Sequence, residues 1–377
     1  MTETPGVLWT VLFFLLAIGP LVFVHEMGHY LVGRWCGVKA EVFSIGFGRE
    51  LAGWTDRRGT RWKVGALPLG GYVRFAGDLS AASEPNEAWK ALPPEEQART
   101  FNAKPLWQRA LVIVAGPVTN FLLAIAIFMG ILGVYGQWQA PSVVGSIVAG
   151  SPAEKAGFAV GDRIVAVGDR AVSEFDEISA IVSLRPGVMM SFQIVRGGTA
   201  QRIMVAPAHK IVRDRFGNEI RLGQIGLGSA PPIRERLTPM QLPGAAVVQC
   251  WRVVKSMVDG LGQIVMGRIS VKELGGPLKI AQYSGQTATL GFVAFLSFVA
   301  LISINLGFIN LLPIPTLDGG HLFFYAIEAV IRRPVSIMIQ EWAYRTGFLA
   351  LMALMLFVTF NDLASFGVWN RLSGLIG

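Results

Sequence analysis

The sequence contains few charged residues. Asp, Glu, Lys and Arg make up 15% of its 377 residues, whereas soluble globular domains contain about 25%. Hydrophobic residues account for 52%, and the mean hydropathy is +0.50. The low charge argues against a soluble globular protein and indicates an integral membrane protein.

Cysteines and long basic stretches are also scarce. The only cysteines are Cys36 and Cys250, and the topology derived below puts them on opposite sides of the membrane, so we expect no disulfide. The net charge is +8, but the basic residues are scattered and form no single stripe. We therefore expect no nucleic-acid partner.

Four apolar runs are long enough to cross about 30 Å of hydrocarbon. They occupy residues 7–33, 108–134, 289–311 and 346–369. The first run could be mistaken for a secretory signal, but no Lys or Arg precedes it and no small-residue cleavage pattern follows it. We therefore expect it to remain as a transmembrane helix.

The distribution of positive charge predicts the topology. Residues 35–108 carry ten Lys or Arg, whereas the segment before the first run carries none. The positive-inside rule puts this loop in the cytoplasm. Both termini and the long segment 135–288 are then expected on the outer side of the membrane.

Three segments between the apolar runs have patterns of their own. Residues 41–78 alternate apolar and polar positions and are broken by Gly and Pro, which predicts a hairpin-like sheet; an ordinary soluble hairpin is the alternative. Residues 141–208 contain short β-rich runs and two short helical patches, which predicts a small α/β or barrel-like domain. Residues 245–268 have apolar positions at spacings of three and four, which predicts an amphipathic helix.

The first apolar run ends in the motif HExxH, formed by His25, Glu26 and His29. On a helix the i, i+4 spacing brings both imidazoles to one face, so both can reach one metal ion. A pair of hydrogen-bonded core histidines is the alternative. Ionisable groups inside a membrane span are costly and usually mark a functional site, which favours the metal site.

A catalytic zinc site needs a third protein ligand and keeps one position open. The candidate is Asp318, which follows the third apolar run within the stretch NLLPIPTLDGGH, residues 310–321. Pro313 and Pro315 interrupt the helix there, and broken backbone at membrane depth is tolerated where it lines a cavity. The alternative is a plain turn that ends the span. His321 could be a fourth ligand, although a supporting role is favoured.

These parts predict peptide hydrolysis in the membrane. Zinc would activate water, and Glu26 would accept its proton and later deliver it to the departing amine. The substrate would be a transmembrane helix that must be unwound first. An exposed edge of the sheet at 41–78 could capture the unwound segment by strand addition, and Asn310 could offer hydrogen bonds to it.

Several motifs resemble the site-2 protease family of intramembrane zinc metalloproteases, and most of all its bacterial branch that regulates the sigma-E stress response. They are HEMGH, GFG at 46–48, PLGGYVRFAGD at 68–78, GPVTNF at 116–121 and NLLPIPTLDGGH. The resemblance implies a polytopic α-helical membrane protein with about four transmembrane helices, a membrane-associated β-hairpin sheet and an inserted extracytoplasmic PDZ domain.

The resemblance also implies the limits of the parts. Residues 1–140 would form the N-terminal half of the membrane catalytic core and 289–377 its C-terminal half. Residues 141–208 would be the PDZ domain, and 209–288 an extracytoplasmic connector containing the amphipathic helix. Some relatives carry two PDZ domains in tandem, whereas this sequence predicts one.

By the same resemblance, His25, His29 and Asp318 would bind zinc and Glu26 would be the catalytic base. The residues implied to bind substrate are Asn310, Pro313, Pro315, Gly70, Gly71 and Tyr72.

The implied partners are the lipid bilayer, single-span substrates such as anti-sigma factors or remnant signal peptides, and an upstream site-1-type protease that shortens the substrate first. The implied location is the bacterial cytoplasmic membrane. Two rival functions stay open: a scaffold with a structural metal and a peptide-binding PDZ domain, and a small transporter with an ion site at mid-membrane.

Overall fold

The computed structural model describes residues 6–77, 91–183, 185–213, 219–265 and 275–365. The chain divides into two compact units, each treated separately below. The membrane unit comprises Met1–Ile131 and Gln241–Gly377, and the inserted unit comprises Leu132–Met240.

Helices dominate the membrane unit. In chain order, the helices of the described residues are α1 Val7–Trp35, α2 Pro94–Gln97, α3 Leu106–Tyr135, α4 Pro152–Lys155, α5 Phe175–Ser183, α6 Leu242–Val265, α7 Pro277–Thr289, α8 Phe292–Asn310, α9 Asp318–Ile331 and α10 Ile337–Ser365. Only α4 and α5 lie wholly in the inserted unit.

Four of these helices are long and apolar enough to cross a membrane: α1, α3, α8 and α10. The four predicted spans are therefore confirmed as helices of the right length and composition. The fourth begins at Ile337, earlier than the predicted residue 346. The apolar run missed this first part because Glu341 and Arg345 interrupt it, although both lie within the helix.

Short strands form the remaining regular structure. They are β1 Ala40–Thr55, β2 Arg61–Phe75, β3 Gln137–Gln139, β4 Val144–Ile147, β5 Arg163–Val167, β6 Arg170–Ala171, β7 Met190–Arg196, β8 Thr199–Val205, β9 Ala208–Arg213, β10 Glu219–Gln224, β11 Leu227–Ser229 and β12 Ile233–Glu235. Among the described residues, only β1 and β2 belong to the membrane unit, and they coincide with the predicted sheet at 41–78 except that β1 begins one residue earlier, at Ala40.

The sheet of β1 and β2 is more folded than a simple hairpin. Residues 40–45 of β1 pair with residues 71–75 of β2 on one side and with residues 61–64 on the other. Residues 50–55 pair in turn with 61–65. Residues 71–75 are consequently at an outer edge, and that edge pairs with no further strand in the described part of the chain.

Helices α1 and α3 cross at very short range. A Cβ atom on Gly28 would lie 2.5 Å from the carbonyl oxygen of Ala115. Thr119 donates a hydrogen bond from its hydroxyl to the carbonyl of Val24, at 3.0 Å. Small residues allow such close approach of helices in membranes, and here the contact brings α3 against the part of α1 that carries the histidines.

Buried ionic contacts join distant parts of the membrane unit. Arg109 at the start of α3 pairs with Glu328 of α9 at 3.1 Å. Asp362 of α10 accepts hydrogen bonds from the backbone N–H groups of Gly276 and Lys279, at 3.2 and 3.1 Å. These N–H groups belong to the N-terminus of α7, where no residue of α7 itself provides a side-chain cap.

The inserted unit is built around a four-stranded sheet in the order β6-β5-β7-β8. Fully buried Ile164, Phe192 and Ile194 from this sheet pack with Ile178 of α5. The chain enters through β3 and leaves through β12, and these two strands pair with each other.

The inserted unit extends beyond the predicted limit at residue 208. Strands β9 and β10 form a hairpin, and β11 pairs with β4 from the start of the unit. Residues 209–235 are therefore part of this unit and not of a connector. Strands β4 and β11 are about 80 residues apart in the sequence, and such a pairing leaves no local pattern.

The amphipathic helix predicted at 245–268 does occur, as α6 at Leu242–Val265.

One ion pair in the inserted unit stabilises the ionised form of a buried carboxylate. The side chain of Asp162 is fully buried and lies 2.7 Å from the guanidinium of Arg196. Burial alone would raise the pKa of Asp162, but hydrogen bonds from Arg196 and from the N–H of Ala159 outweigh it and hold the pKa below its usual range.

Candidate metal centre

Three ligand-type side chains from distant parts of the sequence meet in the membrane unit. Nε2 of His25 lies 3.3 Å from Oδ2 of Asp318, and Nε2 of His29 lies 3.5 Å from the same oxygen. The two Nε2 atoms are 3.3 Å apart. The residues predicted to form the metal site are thus brought together, and in the described residues they form the one cluster with metal-ligand spacing.

The size of this triangle fits a metal ion. Ligands bound to zinc at about 2.0–2.1 Å with tetrahedral angles lie about 3.3–3.4 Å from one another, which matches the three observed separations. Moreover, Oδ2 of Asp318 is buried and accepts no hydrogen bond within the described residues. A buried carboxylate oxygen without a partner is costly, and a cation at this position would supply the missing interaction.

The orientation of His29 is fixed by α3. Its Nδ1 lies 2.9 Å from the carbonyl oxygen of Val112. A carbonyl oxygen can only accept, so Nδ1 carries a proton, and in the neutral ring Nε2 keeps its lone pair. Metal-ligating histidines commonly donate their other N–H to a carbonyl in this way. The ring is therefore held ready to bind a metal ion.

Gly116 of α3 makes room for both imidazoles. A Cβ atom at this position would lie 2.2 Å from Nε2 of His29 and 2.9 Å from Cε1 of His25. Any side chain there would occupy the space in which the two rings converge. The absence of a Cβ atom at residue 116 is thus a requirement of the site.

Glu26 lies on α1 beside the two histidines and is 9% exposed. The backbone of β2 passes close to it, since a Cβ atom on Gly71 would lie 3.0 Å from Cγ of Glu26 and 2.9 Å from Cγ1 of Val22. The outer edge of the sheet therefore runs directly beside the predicted catalytic base.

A compact turn presents Asp318. Residues 311–317 fold back over the start of α9, and a Cβ atom on Gly319 would lie 2.2 Å from the carbonyl oxygen of Leu312. Gly320 is equally restricted, at 2.5 Å from the carbonyl of Ile314. The two glycines permit this close approach, and Asp318 becomes the first residue of α9.

The residues predicted to bind substrate occupy two places. Gly70 and Gly71 precede Tyr72 on β2, and the ring of Tyr72 stacks on Phe47 with centroids 5.9 Å apart. Asn310 is the last residue of α8. The two prolines lie in the following turn, where Pro315 packs so closely on α10 that a Cβ atom on Gly347 would be 2.7 Å away.

Two further histidines are separate from the donor triangle. Nδ1 of His321 lies 2.8 Å from the hydroxyl of Tyr344, with the rings 5.0 Å apart. This contact ties α9 to α10. His209 belongs to β9 of the inserted unit.

Sequence reasoning missed the contribution of α3. Val112, Gly116 and Asn120 are spaced by four and therefore lie on one face of that helix. All three contact the histidine pair. An asparagine in the middle of an apolar run was the available signal, because a buried amide in a membrane helix needs a partner.

The inserted unit contains a groove of about 260 Å³ between α5 and residues 223–227. Its apolar wall includes Phe175, Ile178 and Val182, and Lys210 lies at the rim. The lining of the groove is mostly apolar.

Comparisons with known proteins agree with this geometry. A family model described as peptidase family M50 matches residues 13–354. A protein of Rhizobium meliloti (strain 1021) with the provisional name zinc metalloprotease is 45% identical over 360 residues, covering 94% of this chain and 96% of its own. Metalloprotease MmpA of Caulobacter vibrioides is 37% identical over 385 residues, covering 96% and 97%.

Among solved structures, the PDZ domain of an SdrC-like protein from Listeria monocytogenes aligns with 24% of this chain and 87% of its own. The identity is 16% and the TM-score is 0.19. A score this low carries no argument about the fold of the inserted unit.

Proposed function

The chain belongs to peptidase family M50 and is a metalloprotease, and on that premise we propose that it cleaves transmembrane segments of single-span membrane proteins. His25, His29 and Asp318 would hold the metal, and Glu26 would be the general base. The observation that carries this proposal is the buried triangle of donor atoms beside Glu26, in a unit with four membrane-length helices.

The metal is proposed to be zinc, in agreement with the names of the relatives. When bound, a zinc ion supplies activation of water and polarisation of the scissile carbonyl. Two imidazoles and one carboxylate are a usual ligand set for catalytic zinc and leave one coordination position for chemistry.

The protein residues have distinct parts in the reaction. The carboxylate of Glu26 takes a proton from the attacking water and passes it to the leaving amine. The Val112 carbonyl accepts a hydrogen bond from Nδ1–H of His29, so that the lone pair on Nε2 would be directed to the metal. Glu26 is buried on α1 with β2 passing close beside it, which limits the contact of its carboxylate with bulk solvent.

Replacement of Glu26 tests the proposed catalytic role. The wild-type protein, reconstituted with a single-span reporter, is expected to cut within the span. Glu26→Gln removes the base but retains the volume, and we expect the rate to fall by about 10²–10⁴-fold while zinc remains bound. Glu96→Gln, a change at an exposed carboxylate of α2, is the matched control. Equal cleavage by wild type and Glu26→Gln would remove Glu26 from this role, and no cleavage by either would favour a scaffold.

Substrate is proposed to bind as an added strand. A transmembrane helix shields its amides, so it must be unwound before attack, and an unwound segment in a dry site needs new hydrogen-bond partners. The free edge at residues 71–75 offers such partners directly beside Glu26. Asn310 and the turn containing Pro313 and Pro315 are proposed to hold the other side of the segment.

Disulfide crosslinking tests the strand proposal. In a Glu26→Gln protein without native cysteines, Tyr72→Cys is combined with single cysteines along the reporter. Strand addition predicts crosslinks at every second reporter position, whereas a helical segment predicts a spacing of three to four. Thr55→Cys, on the opposite outer part of the sheet, should crosslink weakly. Equal crosslinking at both edges would contradict the proposal.

The inserted unit is proposed to be a PDZ domain that receives substrates already shortened by an upstream site-1-type protease. The groove between α5 and residues 223–227 would hold the new peptide end, with its apolar wall against the last side chain. Fluorescence anisotropy on the full-length protein should detect a labelled peptide with an apolar C-terminal residue. Ser179→Trp, at an exposed position that lines the groove, should abolish this binding without changing the core, and unchanged binding would exclude the groove.

The protein is proposed to lie in the bacterial cytoplasmic membrane with both termini and the inserted unit outside. The basic loop between α1 and α3 supports this orientation. In intact cells expressing protein without its two native cysteines, a membrane-impermeant thiol reagent should label Thr199→Cys in the inserted unit and not Arg57→Cys in the turn between β1 and β2. The reverse pattern would invert the topology.

A further inference from the structure

We propose that Asn120 of α3 is a positioning residue that determines which ring nitrogen of His25 faces the metal ion. This inference rests on the proposed role of His25, His29 and Asp318 as metal ligands. It adds a residue that neither touches the substrate nor binds the metal, and that acts through His25.

Asn120 is fully buried in the membrane-spanning helix α3. Its side-chain amide lies 3.0 Å from Nδ1 of His25. Burying an amide at membrane depth is costly unless it forms hydrogen bonds. In the described residues, His25 is the one side chain to which this amide is hydrogen-bonded.

The hydrogen bond has two possible directions with opposite consequences. If the amide nitrogen faces the ring, Nδ1 must accept, the ring proton moves to Nε2, and Nε2 cannot bind a metal ion. If the amide oxygen faces the ring, Nδ1–H donates to it and Nε2 keeps its lone pair. The oxygen and nitrogen of an amide exchange places by a half-turn that leaves the positions of the heavy atoms unchanged.

The surroundings favour the second direction. The half-turn gives Oδ1 of Asn120 a partner, but it moves the amide nitrogen to the position where Oδ1 had none, so the choice depends on what the opposite ring nitrogen of His25 faces. Nε2 of His25 also points toward Nε2 of His29 and Oδ2 of Asp318, at 3.3 Å from each. A lone pair on Nε2 could bind a cation held among these three atoms. A proton on Nε2 would instead occupy the position of the cation.

Val112, eight residues before Asn120 on α3, orients His29 in the same way. The Val112 carbonyl accepts from Nδ1 of His29 at 2.9 Å, and Val112 and Asn120 lie on one helix face with Gly116 between them. One face of α3 therefore provides an acceptor for each imidazole and the free space between the rings. This explains why the helix carries a polar side chain at residue 120.

Loss of such a supporting hydrogen bond usually lowers metal affinity by about 10–100-fold. Asn120→Leu keeps the approximate volume but cannot accept, whereas Asn120→Asp has an oxygen acceptor and no N–H donor. The two variants therefore distinguish the effect of a hydrogen bond accepted by residue 120 from the effect of its volume on packing. Ser303→Ala is the matched control, since the fully buried Ser303 donates a hydrogen bond to the backbone carbonyl of Asn120 at 2.8 Å.

The experiment measures metal binding by the full-length protein in detergent. Zinc is removed and then titrated back against a competing chelator, and the visible absorption spectrum of the cobalt-loaded protein reports the ligand geometry. We expect Asn120→Leu to bind zinc about 10–100-fold more weakly and to change the cobalt spectrum. Asn120→Asp and Ser303→Ala should stay close to wild type in both measurements.

Wild-type affinity and spectrum in Asn120→Leu would overturn the inference. Equal loss in Asn120→Asp and Asn120→Leu would also overturn it, because residue 120 would then act by packing alone. Asn120→Asp keeps the test decisive where Asn120→Leu does not fold. If the wild-type protein itself binds no zinc, or if His29→Ala binds it equally well, the proposed metal site fails and the inference falls with it.

Discussion

Gly116→Ala is the change to which the candidate metal centre should be most sensitive. The added Cβ atom would lie 2.2 Å from Nε2 and 2.5 Å from Cε1 of His29. Ordinary contacts of a Cβ atom begin near 3.4 Å, so the ring must move by about 1 Å, whereas metal–ligand distances tolerate only about 0.2 Å. The ring is also tethered to Val112, which limits how it can move aside.

We therefore expect Gly116→Ala to lower zinc affinity by at least the 10–100-fold typical of disturbed supporting contacts, and to abolish cleavage of a single-span reporter. Metal content is measured by mass spectrometry after equilibration with graded chelator. The cleavage assay uses the same protein samples.

Gly130→Ala is the matched control within the same helix, because a Cβ atom on Gly130 would meet nothing within 4 Å. Both substitutions raise intrinsic helix propensity by about 1 kcal/mol, so a loss of helix stability cannot explain a difference between them. Wild-type zinc affinity and cleavage in Gly116→Ala would refute the described arrangement of α1 and α3.

Two further predictions concern stability. Asp362→Ala leaves the N–H groups of Gly276 and Lys279 without their buried acceptor, which should cost about 1–3 kcal/mol and lower the melting temperature in a thermal denaturation scan; an unchanged value would contradict the capping role. Arg196→Gln should raise the pKa of Asp162, since burial then dominates. Because the pKa of Asp162 is lower in the folded than in the unfolded state, its ionised form stabilises the fold at pH values above the unfolded pKa, about 3.9. This stability is lost as the pH falls through the folded-state pKa. Arg196→Gln lacks this contribution, so it should be less stable than wild type near pH 7 in a urea denaturation, and the difference should shrink as the pH falls below the unfolded pKa; a difference that stays the same at every pH would contradict the ion-pair argument.

The meeting of the three proposed metal ligands was predictable because their chemistry constrains them strongly. The i, i+4 spacing of His25 and His29 fixes them on one helix face, and a membrane span offers few candidates for a third ligand. Asp318 follows an apolar run at a broken helix, and the structure brings its carboxylate to the two rings. Which side chains would converge was thus visible in the sequence, from the spacing of the histidines and the scarcity of carboxylates near the spans.

The supporting features were not predictable from local pattern. Gly116 and Asn120 contact the histidines where α1 and α3 cross. His25 and Asn120, for example, are 95 residues apart in the sequence. The periodicity of each helix does not show where the two helices cross. The extent of the inserted unit was underestimated for the same reason, because β11 pairs with the distant β4. Polar residues inside α10 hid its first turns from a hydropathy argument.

The central claim is that one zinc ion is bound by His25, His29 and Asp318. The most direct test is an anomalous-difference map from crystals of the purified native protein, recorded on both sides of the zinc absorption edge. The account predicts a single strong peak at about 2.0–2.2 Å from Nε2 of each histidine and from Oδ2 of Asp318. No peak among these three atoms in zinc-loaded protein, or a peak at other residues, would contradict it.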